Sequence, residues 1–176
     1  MKGNVALIGF MGSGKSTVGK RLARRLNREF IETDRLIEDR ARMPISALFQ
    51  EQGESGFRDV EEEVLKDVSS SAQNAIIACG GGIILRQANI DRLKLSSVIV
   101  YLETDTAALK ERLSFSRKRP LLNRPDRDKI IEELHEARCP LYQAAADLIV
   151  KTGNRPFAAV ISEIIERLGI DESDHR

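Results

Sequence analysis

Residues 9 to 16 read Gly-Phe-Met-Gly-Ser-Gly-Lys-Ser, an unbroken GxxxxGK[ST] string placed directly after the apolar run Val5-Ala6-Leu7-Ile8. A loop of this kind meets phosphate charge with a ring of backbone N–H groups and with the positive end of the helix that follows. Gly9, Gly12 and Gly14 let the chain turn tightly and come close to the phosphates, Lys15 is placed to reach the β and γ phosphates, and Ser16 supplies a hydroxyl for Mg²⁺. Gly12, Ser13, Gly14, Lys15, Ser16 and Thr17 are therefore the expected cradle of a nucleoside triphosphate.

Two absences and one strand end narrow the class. A GTPase switch needs DxxG and NKxD elements, and neither string occurs in the chain. A motor or transporter ATPase needs an apolar strand ending in Asp or Glu, whereas Ala75-Ile76-Ile77-Ala78-Cys79 runs into Gly80-Gly81-Gly82. A small-molecule kinase is favoured.

The loop must be carried by a scaffold, and the hydrophobic pattern predicts one. Short apolar runs at about 4–9, 30–33, 75–79, 97–102 and 147–151 alternate with segments of helical periodicity, which is the pattern of a parallel α/β sheet. Runs that are apolar throughout fit strands covered by helices on both faces. The segment 15–27 places Val18, Leu22 and Leu26 on one stripe and reads as the helix behind the loop. Residues 34–70 hold two or three helical patterns with no strand between them and read as an inserted helical subdomain. Residues 114–127 carry two prolines and several basic residues without periodicity, and read as a surface loop.

Composition sets outer bounds. With 176 residues the chain fits a single domain, 1–176. Its 28 Lys plus Arg balance 27 Asp plus Glu, so no global field points to nucleic acid or to an anionic membrane surface. Cys79 and Cys139 are too far apart in sequence for a CxxC metal motif. No run reaches membrane-spanning length. The expectation is a cytoplasmic protein, acting as a monomer on small molecules.

Further motifs sit in order along the chain: Glu32-Thr33-Asp34, Gly56-Phe57-Arg58, Gly80-Gly81-Gly82, Arg119-Pro120-Leu121-Leu122 and Arg138-Cys139-Pro140-Leu141-Tyr142. With the loop, they make the sequence resemble the shikimate kinase family, collinearly over nearly its whole length. The resemblance implies a three-layer P-loop kinase fold with a five-stranded parallel sheet in the order 2-3-1-4-5. It also implies a helical acceptor-binding insertion at about 34–70 and a lid at about 114–127. The implied activity is transfer of the ATP γ phosphate, with Mg²⁺, to the 3-hydroxyl of shikimate.

Individual residues then acquire expected roles, each beside a plainer reading. Asp34 follows the second strand, where a carboxylate can face the ligand crevice, or it can cap the helix that begins there. The family uses the matching Asp to bind acceptor hydroxyls and proposes it as base. Glu32, two residues earlier, shares a face with Asp34 if both lie in a strand. The family usually has Asp there, thought to hold the Mg²⁺ hydration shell; a longer carboxylate keeps the charge and changes the reach, and a surface Glu is the alternative. Arg58 and Arg138 match arginines that grip the acceptor carboxylate, a task suited to the planar guanidinium fork; each alone would read as a solvated helix charge. Gly80, Gly81 and Gly82 permit close approach of the ligand to a bare backbone, or serve only a tight turn. Phe49 and Phe57, with Ile45, match apolar positions around the acceptor and also carry core spacing. Arg119 matches a residue that covers the ATP phosphates when the lid closes. Arg112 is a candidate for stacking on the adenine, and Asn154 and Arg155 match a base-contacting turn. His135 and His175 are expected on the surface.

Overall fold

A computed structural model of the chain describes residues 3–114 and 126–170. Five strands, β1 (Asn4–Ile8), β2 (Glu29–Glu32), β3 (Ala75–Ala78), β4 (Ser97–Glu103) and β5 (Leu148–Lys151), form one sheet in the order β2-β3-β1-β4-β5. Every pairing is parallel. The order is the one that the family resemblance implies. The helices of the described residues are α1 (Lys15–Arg25), α2 (Thr33–Ala41), α3 (Ile45–Ser71), α4 (Gln87–Ser96), α5 (Thr106–Ser114), α6 (Arg127–Ala145) and α7 (Phe157–Leu168). None of them is long and apolar enough to cross a membrane.

Strand alternation divides the core into two layers, because successive side chains point to opposite faces. Val5 and Leu7 of β1, with Ile76, Val100, Leu102 and Val150, pack against Val18 and Leu22 of α1 and Ile161 and Ile164 of α7. Ala6 and Ile8, with Ile77, Ile99 and Tyr101, pack on the other face against residues from α2 to α6. Both faces are thus covered, which accounts for strands apolar at every position. Asn4 is buried at the base of the sheet, where its side-chain amide donates to Ala72 O (2.9 Å) and Ser96 O (3.2 Å) and accepts from Ala75 N–H (2.9 Å). One side chain ties the entries of β3 and β4 to β1.

The helical insertion is α2 followed by α3, and α3 is broken at Gly53, whose φ of 69° and ψ of −175° leave the helical region. The sequence pattern of two or three helices therefore resolves as two elements with one internal break. One sequence expectation changes here. Glu32 is the last extended residue (φ −113°, ψ 111°) and Asp34 lies in the first turn of α2, so the two do not share a strand face. The two-residue alternation ends at Glu32 and a 3.6-residue period takes over. Nor is Asp34 the N-cap of that helix, a position held by Glu32.

Candidate active site

The site gathers at the carboxyl ends of β1, β2 and β3, beside the point where the chain returns across the sheet to β4. Ligand crevices of open α/β sheets form at such switch points. A cavity of about 200 Å³ is lined by Gly12, Gly14, Lys15, Ser16, Thr17, Glu32, Asp34 and Gly81, among others. The loop after β1, the carboxylates after β2 and the glycines after β3 therefore face one space.

Glycine is required at specific loop positions. Gly12 and Gly14 have φ of 80° and 94°, and a Cβ on Gly14 would lie 3.0 Å from the Phe157 ring. The Lys15 ammonium donates to Gly9 O (2.7 Å), Phe10 O (2.9 Å) and Ser13 Oγ (3.4 Å), so it lies across its own loop. The Ser16 hydroxyl donates to a Glu32 carboxylate oxygen. Ser16 and Glu32, each separately a candidate for the metal side of the site, are thus in contact, and both residues line the cavity.

On the β3 side the glycine triad is shaped by its side-chain neighbours. Thr33 Oγ accepts from Gly80 N–H at 3.0 Å and donates to Ala78 O at 3.4 Å, which fastens the end of β2 to the end of β3. A Cβ on Gly80 would fall 2.7 Å from Asp34 Oδ1 and 3.1 Å from Glu61 Oε1; one on Gly82 would fall 2.2 Å from Arg58 Nη2. Gly80 and Gly82 are bare because Asp34 and Arg58 lie against them. Gly81 has ordinary clearance, 3.5 Å or more, and is the member of the triad that lines the cavity. The sequence reading of a backbone left open for a ligand therefore fits Gly81, while its neighbours make room for functional side chains.

Arg58 is held from three sides. Its guanidinium donates to Glu61 Oε2 (2.7 Å), contacts Glu54 (3.4 Å) and lies 4.9 Å from the centre of the Phe57 ring. Phe57 stacks on Phe49 at 4.5 Å, so the aromatic pair forms a floor under the guanidinium. Glu61 is 1% exposed, and its Oε1 is buried with no hydrogen-bond partner among the described residues. Burial raises its carboxyl pKa, the Arg58 charge pulls it partly back, and the Asp34 carboxylate pushes it up again. Sequence reading missed Glu61, although its i+3 spacing from Arg58 on a helix was the available signal.

From the opposite wall α6 contributes Arg138 and Tyr142, one turn apart. Tyr142 is fully buried, its ring stacks on Tyr101 at 5.1 Å, and its hydroxyl donates to Gly81 O. Burial pushes its pKa up to about 12, against the nearby positive charges of Arg138 and Arg58. Both arginine charges thus act on the one hydroxyl that is bonded to Gly81 O.

Beside the phosphate loop, Arg112 donates to Gly12 O (3.2 Å) and to Gly153 O, bracing that loop against the turn after β5. Asn154 is exposed in that turn, and Arg155 is engaged by Glu163 (2.6 Å) and Lys151 O (2.8 Å). Arg119 and His175 lie outside the described residues, as does most of 114–127. His135 is half-buried rather than fully on the surface. Its ring meets Phe10 of the phosphate loop edge-on at 5.4 Å and its Nδ1 lies 3.1 Å from Thr106 Oγ. Burial lowers its pKa, opposed by Glu103 and Asp105. Of the cysteines, Cys79 is buried and Cys139 half-buried, and neither is in a disulfide.

The glycine contacts yield a sharp expectation. In Gly82→Ala the new methyl displaces the Arg58 guanidinium, a flexible tip that can move without unfolding the chain. Losing a hydrogen bond to a charged group weakens binding roughly tenfold to a hundredfold. The Michaelis constant for a carboxylated acceptor should rise by that factor while the ATP constant stays within about twofold. Steady-state kinetics on both substrates checks it, and an unchanged acceptor constant would show that Arg58 does not need its place on Gly82.

Comparison with known proteins agrees with this geometry. The family model described as shikimate kinase matches residues 11–169. A shikimate kinase of Dehalococcoides mccartyi is 43% identical over 95% of this chain and 94% of its own length. One from Vibrio parahaemolyticus is 40% identical over 95% of this chain and 96% of its own. Among solved structures, shikimate kinase from Acinetobacter baumannii in complex with shikimate superposes with a TM-score of 0.89 at 33% identity, covering 94% of this chain and 92% of that one. The Aquifex aeolicus enzyme gives 0.81 at 37% identity, covering 94% and 96%. On the phosphate loop, the strand order and these matches, the chain belongs to the shikimate kinase family.

Proposed function

We propose that the chain transfers the γ phosphate of ATP to the 3-hydroxyl of shikimate, giving shikimate 3-phosphate for aromatic amino acid biosynthesis. The observation that carries this reading is the convergence, in one crevice, of a phosphate loop with Asp34 and Gly81, next to which the Arg58 guanidinium lies against Gly82. Phosphoryl transfer is largely positioning and charge neutralisation. Lys15 leaves its loop carbonyls for the β and γ phosphates. Asp34, held against Gly80, orients the acceptor hydroxyl and takes up its proton. Arg58 and Arg138 grip the acceptor carboxylate, and the Gly81 amide adds a donor. The insertion at 34–70 serves as the acceptor subdomain. Arg119, on the resemblance alone, closes over the phosphates with the 114–127 lid and excludes water. Arg112, Asn154 and Arg155 line the adenine end, and the enzyme works in the cytoplasm.

Mg²⁺ fits the residues present. A hydroxyl and a carboxylate in contact at the cavity wall are hard oxygen donors, and Mg²⁺ is commonly held by one or two such groups with phosphates and water. Ser16 and Glu32 would hold it, and when bound it neutralises charge on the β and γ phosphates.

A coupled ADP-release assay with shikimate, gluconate, adenylylsulfate and nucleoside monophosphates offered in parallel tests the reading. Turnover dependent on shikimate is expected. Turnover only with another acceptor would move the chain to a different small-acceptor kinase, and no turnover with any of them would make it a nucleotide-binding homologue.

A further inference from the structure

The glycine triad forms a turn whose two central residues are both free of a side chain. Ile83 N–H donates to Gly80 O at 3.1 Å, which places Gly81 and Gly82 at its two central positions. Gly82 has φ −96° and ψ 7°, the geometry of a type I turn. A type II turn differs chiefly by a reversal of the central peptide, with the third residue near about +80° in φ, a region that glycine enters without steric penalty. With glycine at both central positions, little in the turn itself opposes that reversal.

The group that breaks the tie comes from α6. The central carbonyl is Gly81 O, and it accepts the Tyr142 hydroxyl. That hydroxyl is fixed in turn, since its ring is fully buried and stacked on Tyr101, 5.1 Å between centres with the planes 19° apart. Because a trans peptide points its carbonyl and N–H in opposite directions, holding Gly81 O also fixes the Gly82 N–H. Reversed, the peptide would put a carbonyl oxygen where an N–H had been, beside the guanidinium that lies on Gly82. A carbonyl turned toward that guanidinium would compete with an anionic acceptor for it.

We infer that Tyr142 is a positioning residue for acceptor binding, whose hydroxyl locks the Gly81–Gly82 peptide in the orientation that an acceptor carboxylate requires. The inference rests on the functional reading above. It singles out a side chain that touches no substrate and that acts through a backbone peptide.

Tyr142→Phe removes the hydroxyl and keeps the stacked ring. With the melting temperature confirming a folded protein, the Michaelis constant for shikimate should rise roughly tenfold and that for ATP should stay within about twofold. In protein labelled with [¹⁵N]glycine, the Gly82 amide resonance should shift or double. Tyr101→Phe, which removes the neighbouring hydroxyl that faces Cys139 at 3.7 Å, serves as the packing control and should leave both readouts unchanged. A shikimate constant within twofold of the parent in Tyr142→Phe would overturn the inference, as would an equal rise in Tyr101→Phe or an unmoved Gly82 resonance. If the parent enzyme has no shikimate-dependent turnover, the functional reading falls, while the glycine resonances still decide whether Tyr142 sets the turn.

Discussion

Lys15→Met should lower kcat by roughly a thousandfold or more, while shikimate binding measured by calorimetry stays within about twofold. The estimate follows from the size of a single well-aimed positive donor on a reacting centre, worth roughly a hundredfold to a thousandfold. A phosphoryl group in flight adds to this, because so little else in the reaction is covalent work for the protein. Lys15 is anchored on Gly9 O, Phe10 O and Ser13 Oγ, which holds its ammonium at the floor of the site. Methionine keeps the length of the stem and removes the charge. A fall of less than tenfold would mean that another cation carries the phosphate charge in this chain.

Arg58→Ala should have two separable effects. The shikimate Michaelis constant should rise about a hundredfold with the ATP constant nearly unchanged, as expected for loss of a charge-assisted fork on a carboxylate. The second effect is on stability. Arg58 is 11% exposed and Glu61 1% exposed, so the substitution leaves a carboxylate buried without its partner. Breaking such a pair costs about 3–5 kcal/mol. Glu61 already titrates above its ordinary value of 4.5 because of burial, and losing Arg58 raises it further. A carboxyl raised in the folded state contributes stability that is fully present below the unfolded value and is lost as pH rises through the folded one. The melting-temperature deficit of Arg58→Ala should therefore be smaller at pH 5 than at pH 8. Adding Glu61→Gln should recover much of the stability at pH 8 and none of the shikimate affinity. Equal deficits at both pH values would remove Glu61 from the explanation, and equal rises in both Michaelis constants would remove Arg58 from the acceptor site.

Legibility in the sequence followed the range of the interactions. The phosphate loop and the parallel sheet rest on local strings, strand periodicity and strand ends, all of which leave a mark in the order of residues. Glu32 and Asp34 share no strand face because the period changes from two to 3.6 between them, and the helix starts two residues earlier than a cap at Asp34 would place it. Glu61, Thr33 and Tyr142 drew no assigned role because a buried polar group is recognised by its partner. Those partners lie up to 61 residues away, as Gly81 does from Tyr142. His135 was placed on the surface for the same reason: its neighbours, Phe10 and Thr106, come from the phosphate loop and from α5. The triad Gly80-Gly81-Gly82 stands out in the sequence, but the need for glycine at its ends is physical only with Asp34 and Arg58 laid against it.

On the proposed function, donor and acceptor meet in a single crevice so that one hydroxyl of shikimate receives the phosphate. Proton-coupled ³¹P NMR of the product formed from ATP and shikimate tests it most directly. The predicted result is one phosphomonoester whose phosphorus couples to the proton on carbon 3, formed together with ADP. Phosphate on a different hydroxyl, or inorganic phosphate released with shikimate unchanged, would contradict it.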